Sequence, residues 1–307
     1  MVSAIEQLGK SKYHWPLAGV FDCTEEILES EITNCRFVTL EQLQNLEIDL
    51  ILICGHGVQR SVLRHLHPLL NRHRNTYLAY FCGNELPHYR WDLVENLLCA
   101  DERSWKNFGH RVKNSCRYYP WIDYDKFKWV GPFDEKVLVC SIINYEQRYP
   151  ADAVTAKHII DNLEGVEFTV SKSLSQRSMS KFLQKSAAML HIKPEEGYGF
   201  GVLESLACGR PIIAPRKYVA ERAMQHWCLH GESAILFDSV SEVVDSLRRF
   251  FADQEYRHRL QFGAAAAVRR VVDNHAQTEA LGRFLQRLRP QSAKGILTKL
   301  LDFRHWH

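Results

Sequence analysis

The chain has 307 residues, 46% of them hydrophobic and 24% charged, with a formal net charge of +3. That is the length of two ordinary domains and the composition of a globular protein with a real core. No stretch approaches the ~20 continuous apolar residues that span a bilayer, and the opening MVSAIEQLGKSKYHW lacks the apolar run of a signal peptide.

Short apolar strands alternate with helical segments along the chain. The first run of strands is LAGVFD (17–22), RFVTL (36–40), DLILICG (49–55) and TYLAYFC (76–82). An amphipathic helix, GVQRSVLRHLHPLL (57–70), lies between the last two. PWIDYDKFKWVGPFDEK (120–136) carries two prolines, a glycine and charges without periodicity, and reads as an interdomain linker. A second run follows: KVLVCSI (136–142), EFTV (167–170), AAMLHI (187–192) and RPIIAP (210–215), with ADAVTAKHIIDNL (151–163) as a helix after the first. Near-continuous apolar strands separated by helices predict parallel sheets buried on both faces. The expected class is therefore α/β, with two Rossmann-like doubly wound domains facing across a cleft. Their expected bounds are 1–130 and 131–285, followed by a helical tail at 286–307. Ligands of such sheets sit beyond the carboxyl ends of the strands.

Nine cysteines are scattered without C-x-x-C spacing, as reduced thiols in a cytoplasmic protein are. Cys54, Cys82, Cys99 and Cys140 fall on expected strands, where Cys serves as a small hydrophobe. No Asp-x-Asp adjoins the glycine-rich stretch 195–215 and no His/Cys cluster has ligand spacing, so neither a metal nor a resident cofactor is expected. Charge is uneven: residues 246–307 hold twelve Lys/Arg against five Asp/Glu. Such an excess suits either phosphates, anionic lipid or nucleic acid, or a pair of solvated helices.

The chemistry concentrates in EEGYGFGVLESLACGRPIIAP (195–215). Gly197, Gly199 and Gly201 alternate with larger residues, and Glu196 and Glu204 bracket them with seven residues between. AAMLHIKP is a strand with its exit, and GVLESLACG is an apolar-faced helix ending at Gly209. The glycine turn thus opens a helix, where unpaired N–H groups and the helix dipole favour an anion. Two carboxylates beside a phosphate site need another partner, and the diol of a sugar or ribose supplies it. Together these features describe a nucleotide-sugar site.

EGYGFGVLESLACGRPIIAP resembles the donor-site signature of family 4 glycosyltransferases of the GT-B fold, which carry Glu, seven residues and Glu within a similar pattern. SMSKFLQKSAAMLHIKPEEG and YVAERAMQHWCLHGESAILFD resemble that family's segments on either side, with Glu221 at a family glutamate. YYPWIDYDKF resembles its interdomain stretch, so the likeness covers 117–285, while 1–116 match only in rhythm.

The resemblance implies a role for each position. Glu196 would lie at the donor sugar and reacting centre, and Glu204 would hold the ribose. The amides of Tyr198, Gly199, Phe200 and Gly201 would receive the pyrophosphate beside Gly197. Family members place an Arg after the first strand of the second domain and a Lys about five residues on. Here Ile142 stands at the Arg position and Gln147 or Arg148 at the Lys position. Arg148 is then the candidate catalytic cation, with Lys193 and Arg177 as substitutes. Cys82 stands where many relatives have a His, and His56 and His88 are the candidates to replace it.

The resemblance further implies a retaining, metal-independent transfer from a nucleotide sugar, with a UDP-sugar the expected donor. The expected acceptor is a saccharide or a cell-envelope molecule. Two other readings stay open: transfer to a modified base in DNA, and a non-catalytic nucleotide- or sugar-binding module. The basic stretch 59–75 could face a phosphorylated acceptor, nucleic acid or lipid, and ILTKLLDFRHWH (296–307) could lie on a membrane surface.

Overall fold

The computed structural model describes residues 17–19, 35–37, 45–46, 48–54, 77–82, 94–100, 102–119, 121–140, 149–170, 176–194, 198–220 and 222–289. The expected helix at 57–70 and the segment 296–307 lie outside them, as do His56 and His88. The chain divides into two compact units, Met1–Trp121 with Asn274–His307, and Ile122–Asp273.

In the first unit, β1 (Leu17–Gly19) pairs in parallel with β2 (Cys35–Phe37). A four-stranded parallel sheet runs in the order β3 (Leu50–Cys54), β4 (Tyr77–Cys82), β5 (Asn96–Cys99), β6 (Asn114–Arg117). A short helix α1 (Glu102–Ser104) continues into a π-type turn, Trp105–Gly109, between β5 and β6. Leu78, Ala79, Leu97, Leu98 and the thiols of Cys82 and Cys99 are fully buried, as small apolar groups between sheet and flanking elements should be.

Strands β5 and β6 break the apolar-run rule, because each opens on a buried asparagine. Asn96 and Asn114 are register partners. Asn96 donates to the Leu78 and Arg289 carbonyls, both at 2.8 Å, and its Oδ1 accepts from Asn114 Nδ2 at 3.0 Å and from the Arg289 amide at 2.7 Å. Asn114 also donates to the Phe284 carbonyl at 3.2 Å. The network satisfies both buried amides and binds the end of α8 (Asn274–Gln286), which belongs to this unit.

The second unit carries a five-stranded, all-parallel sheet in the order β11-β10-β9-β7-β8, made of Ala234–Phe237, Ile212–Pro215, Ala188–Leu190, Val137–Cys140 and Glu167–Val170. Its helices are α2 (Pro150–Asp161), α3 (Gln176–Gln184), α4 (Phe200–Ala207), α5 (Arg216–Val219), α6 (Val240–Ala252) and α7 (Gln254–Val271). Alternate strand residues face opposite ways. Leu138, Cys140, Leu190, Ile213 and Ile235 join α2 and α6 in one core cluster. Met189, between two residues of that cluster, turns to the other face and meets α4 at Gly201.

Strand order reverses between β7 and β9. The chain leaves β7 toward β8 on one side and continues from β9 to β10 and β11 on the other. The β7 exit feeds α2 on one face of the sheet, and the β9 exit feeds α4 on the opposite face. The carboxyl edge at this reversal of strand order is the usual ligand position in such sheets.

The stretch that reads as a linker is tied down along its length within this unit. Ile122 and Phe127 are buried. Tyr124 Oη donates to the Val272 carbonyl at 2.9 Å, Ser180 Oγ to that of Lys126, and Gln184 Nε2 to that of Lys128 at 3.2 Å. Gln261, fully buried in α7, accepts from the Phe133 amide at 2.9 Å and donates to the Phe133 and Ala187 carbonyls, each at 3.1 Å. Its missing periodicity reflects side-chain fastening one residue at a time, not freedom. Among the described residues no helix is long and apolar enough to cross a membrane.

Candidate functional site at the carboxyl edge of the second sheet

The β9–α4 connection holds the glycine motif at the point where strand order reverses. His191 and Ile192 are buried, and Lys193 and Pro194 are half-buried as the chain leaves the sheet. Glu196 and Gly197 lie outside the described residues, as does Arg148 in the β7–α2 connection and Glu221 after α5. Arg177 is on α3, and its side chain lies outside them too.

Gly199 is the N-cap of α4, with φ 71° and ψ 69°. This left-handed conformation suits glycine. A Cβ there would also lie 2.9 Å from Met224 Sδ and 3.0 Å from Val202 Cβ. The helix makes its first backbone bond from the Leu203 amide to the Gly199 carbonyl, 2.9 Å. Glycine has no side chain with which to cap the amides of Phe200, Gly201 and Val202, and the first turn carries no acidic residue. An uncapped helix start of this kind offers donors and a positive dipole end to an anion. Gly201 differs from Gly199: a Cβ there would meet only Met189 Cε, at 3.9 Å. Packing inside the unit does not demand glycine at 201. Tyr198 and Phe200 flank the turn with rings edge to face at 6.4 Å.

Glu204 is 5% exposed, one turn beyond Phe200 on α4. Helical side chains lean toward the N-terminus, which directs this carboxylate back toward the glycine turn. Burial pushes the Cys208 thiol up to about 12; the nearby Arg210 opposes that shift and Glu204 adds to it.

The far end of α4 closes on Gly209, as its sequence predicts, and is anchored by Trp129 and Arg210. Gly209, at φ 73°, lies flat against the Trp129 ring, so close that a Cβ would overlap it. Arg210 is fully buried and donates to the carbonyls of Leu183 at 3.2 Å, Gln184 at 3.0 Å and Gly131 at 3.3 Å. Its guanidinium also lies over the rings of Trp129 and Phe133, at 5.6 and 5.5 Å. Leu183 and Gln184 end α3, so Arg210 caps the negative end of that helix. Burial lowers its pKa to about 10.

At the exit of β10, α5 forms a crossbeam. Arg216 bonds Asp238 at 3.1 Å and the Leu236 carbonyl at 3.1 Å on the β11 side. Tyr218 Oη donates to Asp152 Oδ1 at 2.5 Å, in the first turn of α2. Burial first, and the Asp152 carboxylate second, push the Tyr218 phenol well above its ordinary range. A run of charged residues directly after an apolar strand was the available signal for α5. Among the described residues, no three His, Cys, Asp or Glu side chains converge on a point that could hold a metal.

A family model described as "Glycosyl transferase-like" matches residues 121–286. No curated protein matches the sequence. Among solved structures, Anabaena HepE in complex with UDP-glucose is similar at TM-score 0.66 and 13% identity, over 94% of this chain and 96% of that one. A variant of S. aureus TarM, in complex with fondaparinux, α-GlcNAc-glycerol and UDP, is similar at TM-score 0.61 and 11% identity, over 80% of this chain and 57% of that one. Sucrose-phosphate synthase from Thermosynechococcus elongatus is similar at TM-score 0.52 and 13% identity, over 93% and 76%. At such identities the likeness is one of fold, and that fold is GT-B.

Proposed function

Because the chain belongs to the glycosyl transferase-like family, matched over residues 121–286, we propose that it transfers a sugar from a uridine diphosphate sugar to a hydroxyl of a saccharide or cell-envelope acceptor. The observation that carries this reading is the uncapped start of α4 at the reversal of strand order, with Gly199 held in a left-handed turn and Glu204 buried one turn behind. HepE with UDP-glucose and TarM with UDP and α-GlcNAc-glycerol, two proteins of like fold, support the choice of donor.

In this reading the amides from Tyr198 to Gly201 take the diphosphate, and Glu204 accepts hydrogen bonds from the ribose diol. The missing side chain at Gly201 lets a phosphate oxygen approach the backbone. Glu196 lies at the sugar, and Arg148 adds positive charge where the departing diphosphate gains negative charge. The bond from the anomeric carbon to the diphosphate oxygen breaks, and one to the acceptor oxygen forms on the same face. The acceptor's proton passes to the departing phosphate. Backbone donors and side-chain cations neutralise the leaving group, so the reaction proceeds without a divalent metal.

A thermal-shift panel of UDP, ADP, GDP and the matching sugar nucleotides tests the reading, followed by transfer and hydrolysis assays with whichever stabilises. UDP and one UDP-sugar should raise Tm and the others should not. A panel without any nucleotide effect would contradict it.

A further inference from the structure

A nucleoside diphosphate brings two or more negative charges, and a helix start offsets only about half of one. Other cations must reach it. Around the carboxyl edge, Arg216 is ion-paired with Asp238 at 3.1 Å. Lys217, next to it on α5, is exposed and lies with Nζ 4.9 Å over the Tyr218 ring. Among the described residues, no carboxylate ion-pairs with it.

The ring beneath Lys217 is fixed at both ends. Its hydroxyl is bonded to Asp152 at 2.5 Å, and its body packs on the core cluster shared by α2 and α6. Asp152 stands in the first turn of α2, the helix that follows β7 in the chain. Arg216, bonded to Asp238 and the Leu236 carbonyl, keeps the other end of α5 in place. A lysine stem lying on an aromatic face loses less freedom when it binds than one in open solvent.

We propose that Lys217 is a diphosphate-binding cation of this site, presented at the carboxyl edge of the sheet by the Tyr218–Asp152 pair. The inference rests on the donor reading above and adds a residue to it. Tyr218 acts through Lys217 and is a positioning residue; Lys217 meets the phosphates directly.

Calorimetry with UDP and with uridine, on the full chain and three variants, tests this. Lys217→Met should bind UDP about tenfold more weakly, the loss of one charged contact, with uridine affinity unchanged. Lys217→Arg should stay within about threefold of the parent, because it keeps the charge. Tyr218→Phe, which keeps the ring and loses the anchor to Asp152, should fall between the parent and Lys217→Met for UDP alone. Parental UDP affinity in Lys217→Met, or an equal loss for UDP and uridine, overturns the proposal. A parent chain that binds no nucleoside diphosphate overturns the donor reading itself, and this inference with it.

Discussion

The sulfur of Met224 closes the space beside Gly199: a Cβ at that glycine would stand 2.9 Å from it. With φ at 71°, Gly199 meets two separate objections to any side chain. Gly199→Ala should therefore cost about 1–3 kcal/mol of stability through backbone strain and crowding. Urea denaturation of parent and variant measures it. Gly201→Ala, where the nearest atom would be 3.9 Å away, should change stability little and weaken UDP binding, which separates the two glycines by role.

Arg210 should be the costliest single residue at the back of α4. Arg210→Met leaves the carbonyls of Leu183, Gln184 and Gly131 without their buried donor. A loss of about 3 kcal/mol or more follows from leaving such groups unpaired. Arg210→Lys cannot fork to three carbonyls and should recover only part of that loss. Chemical denaturation of both variants checks the order.

Asp134 gives the second unit an acid-sensitive tie. Hydrogen bonds from Arg257 and then His258 hold its carboxyl down at about 2, from the ordinary 3.8. Arg257 Nη2 lies 2.8 Å from it and His258 Nε2 2.6 Å. Its folded pKa is the lower one, so its stabilisation is present above pH 3.8 and is lost as pH falls through about 2. The carboxylate is half-exposed, so solvent screening limits the effect to roughly 1 kcal/mol or less. Stability measured from pH 5 to pH 2 should fall less steeply in Asp134→Asn than in the parent. Identical slopes would remove Asp134 from the acid response.

Turnover separates the two glutamates. Glu196→Ala should depress kcat more than it weakens UDP affinity, since its proposed place is at the sugar and not at the nucleotide. Steady-state kinetics with the UDP-sugar that stabilises the chain decides; a raised KM with parental kcat would move Glu196 away from the reacting centre.

Much of this fold is legible in the sequence, because buried parallel strands announce themselves as short apolar runs. β4, β7 and β10 read directly from TYLAYFC, KVLVCSI and RPIIAP. β5 and β6 do not, since Asn96 and Asn114 place amides where an apolar residue is expected, and only their network explains them. β11 is a four-residue strand, AILF, lying within a segment noticed for its family likeness and not for its pattern. The glycine turn and Glu204 were visible because left-handed backbone and paired carboxylates leave marks in residue type. Arg210 and Tyr218 were not, because their partners are carbonyls and a carboxylate distant in sequence. The division between the two units falls inside the stretch 120–136, at Trp121 and Ile122; what its pattern does not announce is that Gln261, Arg210 and Ser180 fasten the remainder from far along the chain.

The central claim is that UDP binds at the start of α4 with its ribose on Glu204. Calorimetric titration of UDP into the parent and into Glu204→Ala tests it most directly, with circular dichroism confirming that the buried substitution leaves the variant folded. The account predicts saturable binding to the parent and a loss of about 1.5–3 kcal/mol in the variant, the worth of a charged hydrogen bond. Equal UDP affinity in a folded Glu204→Ala chain would contradict it.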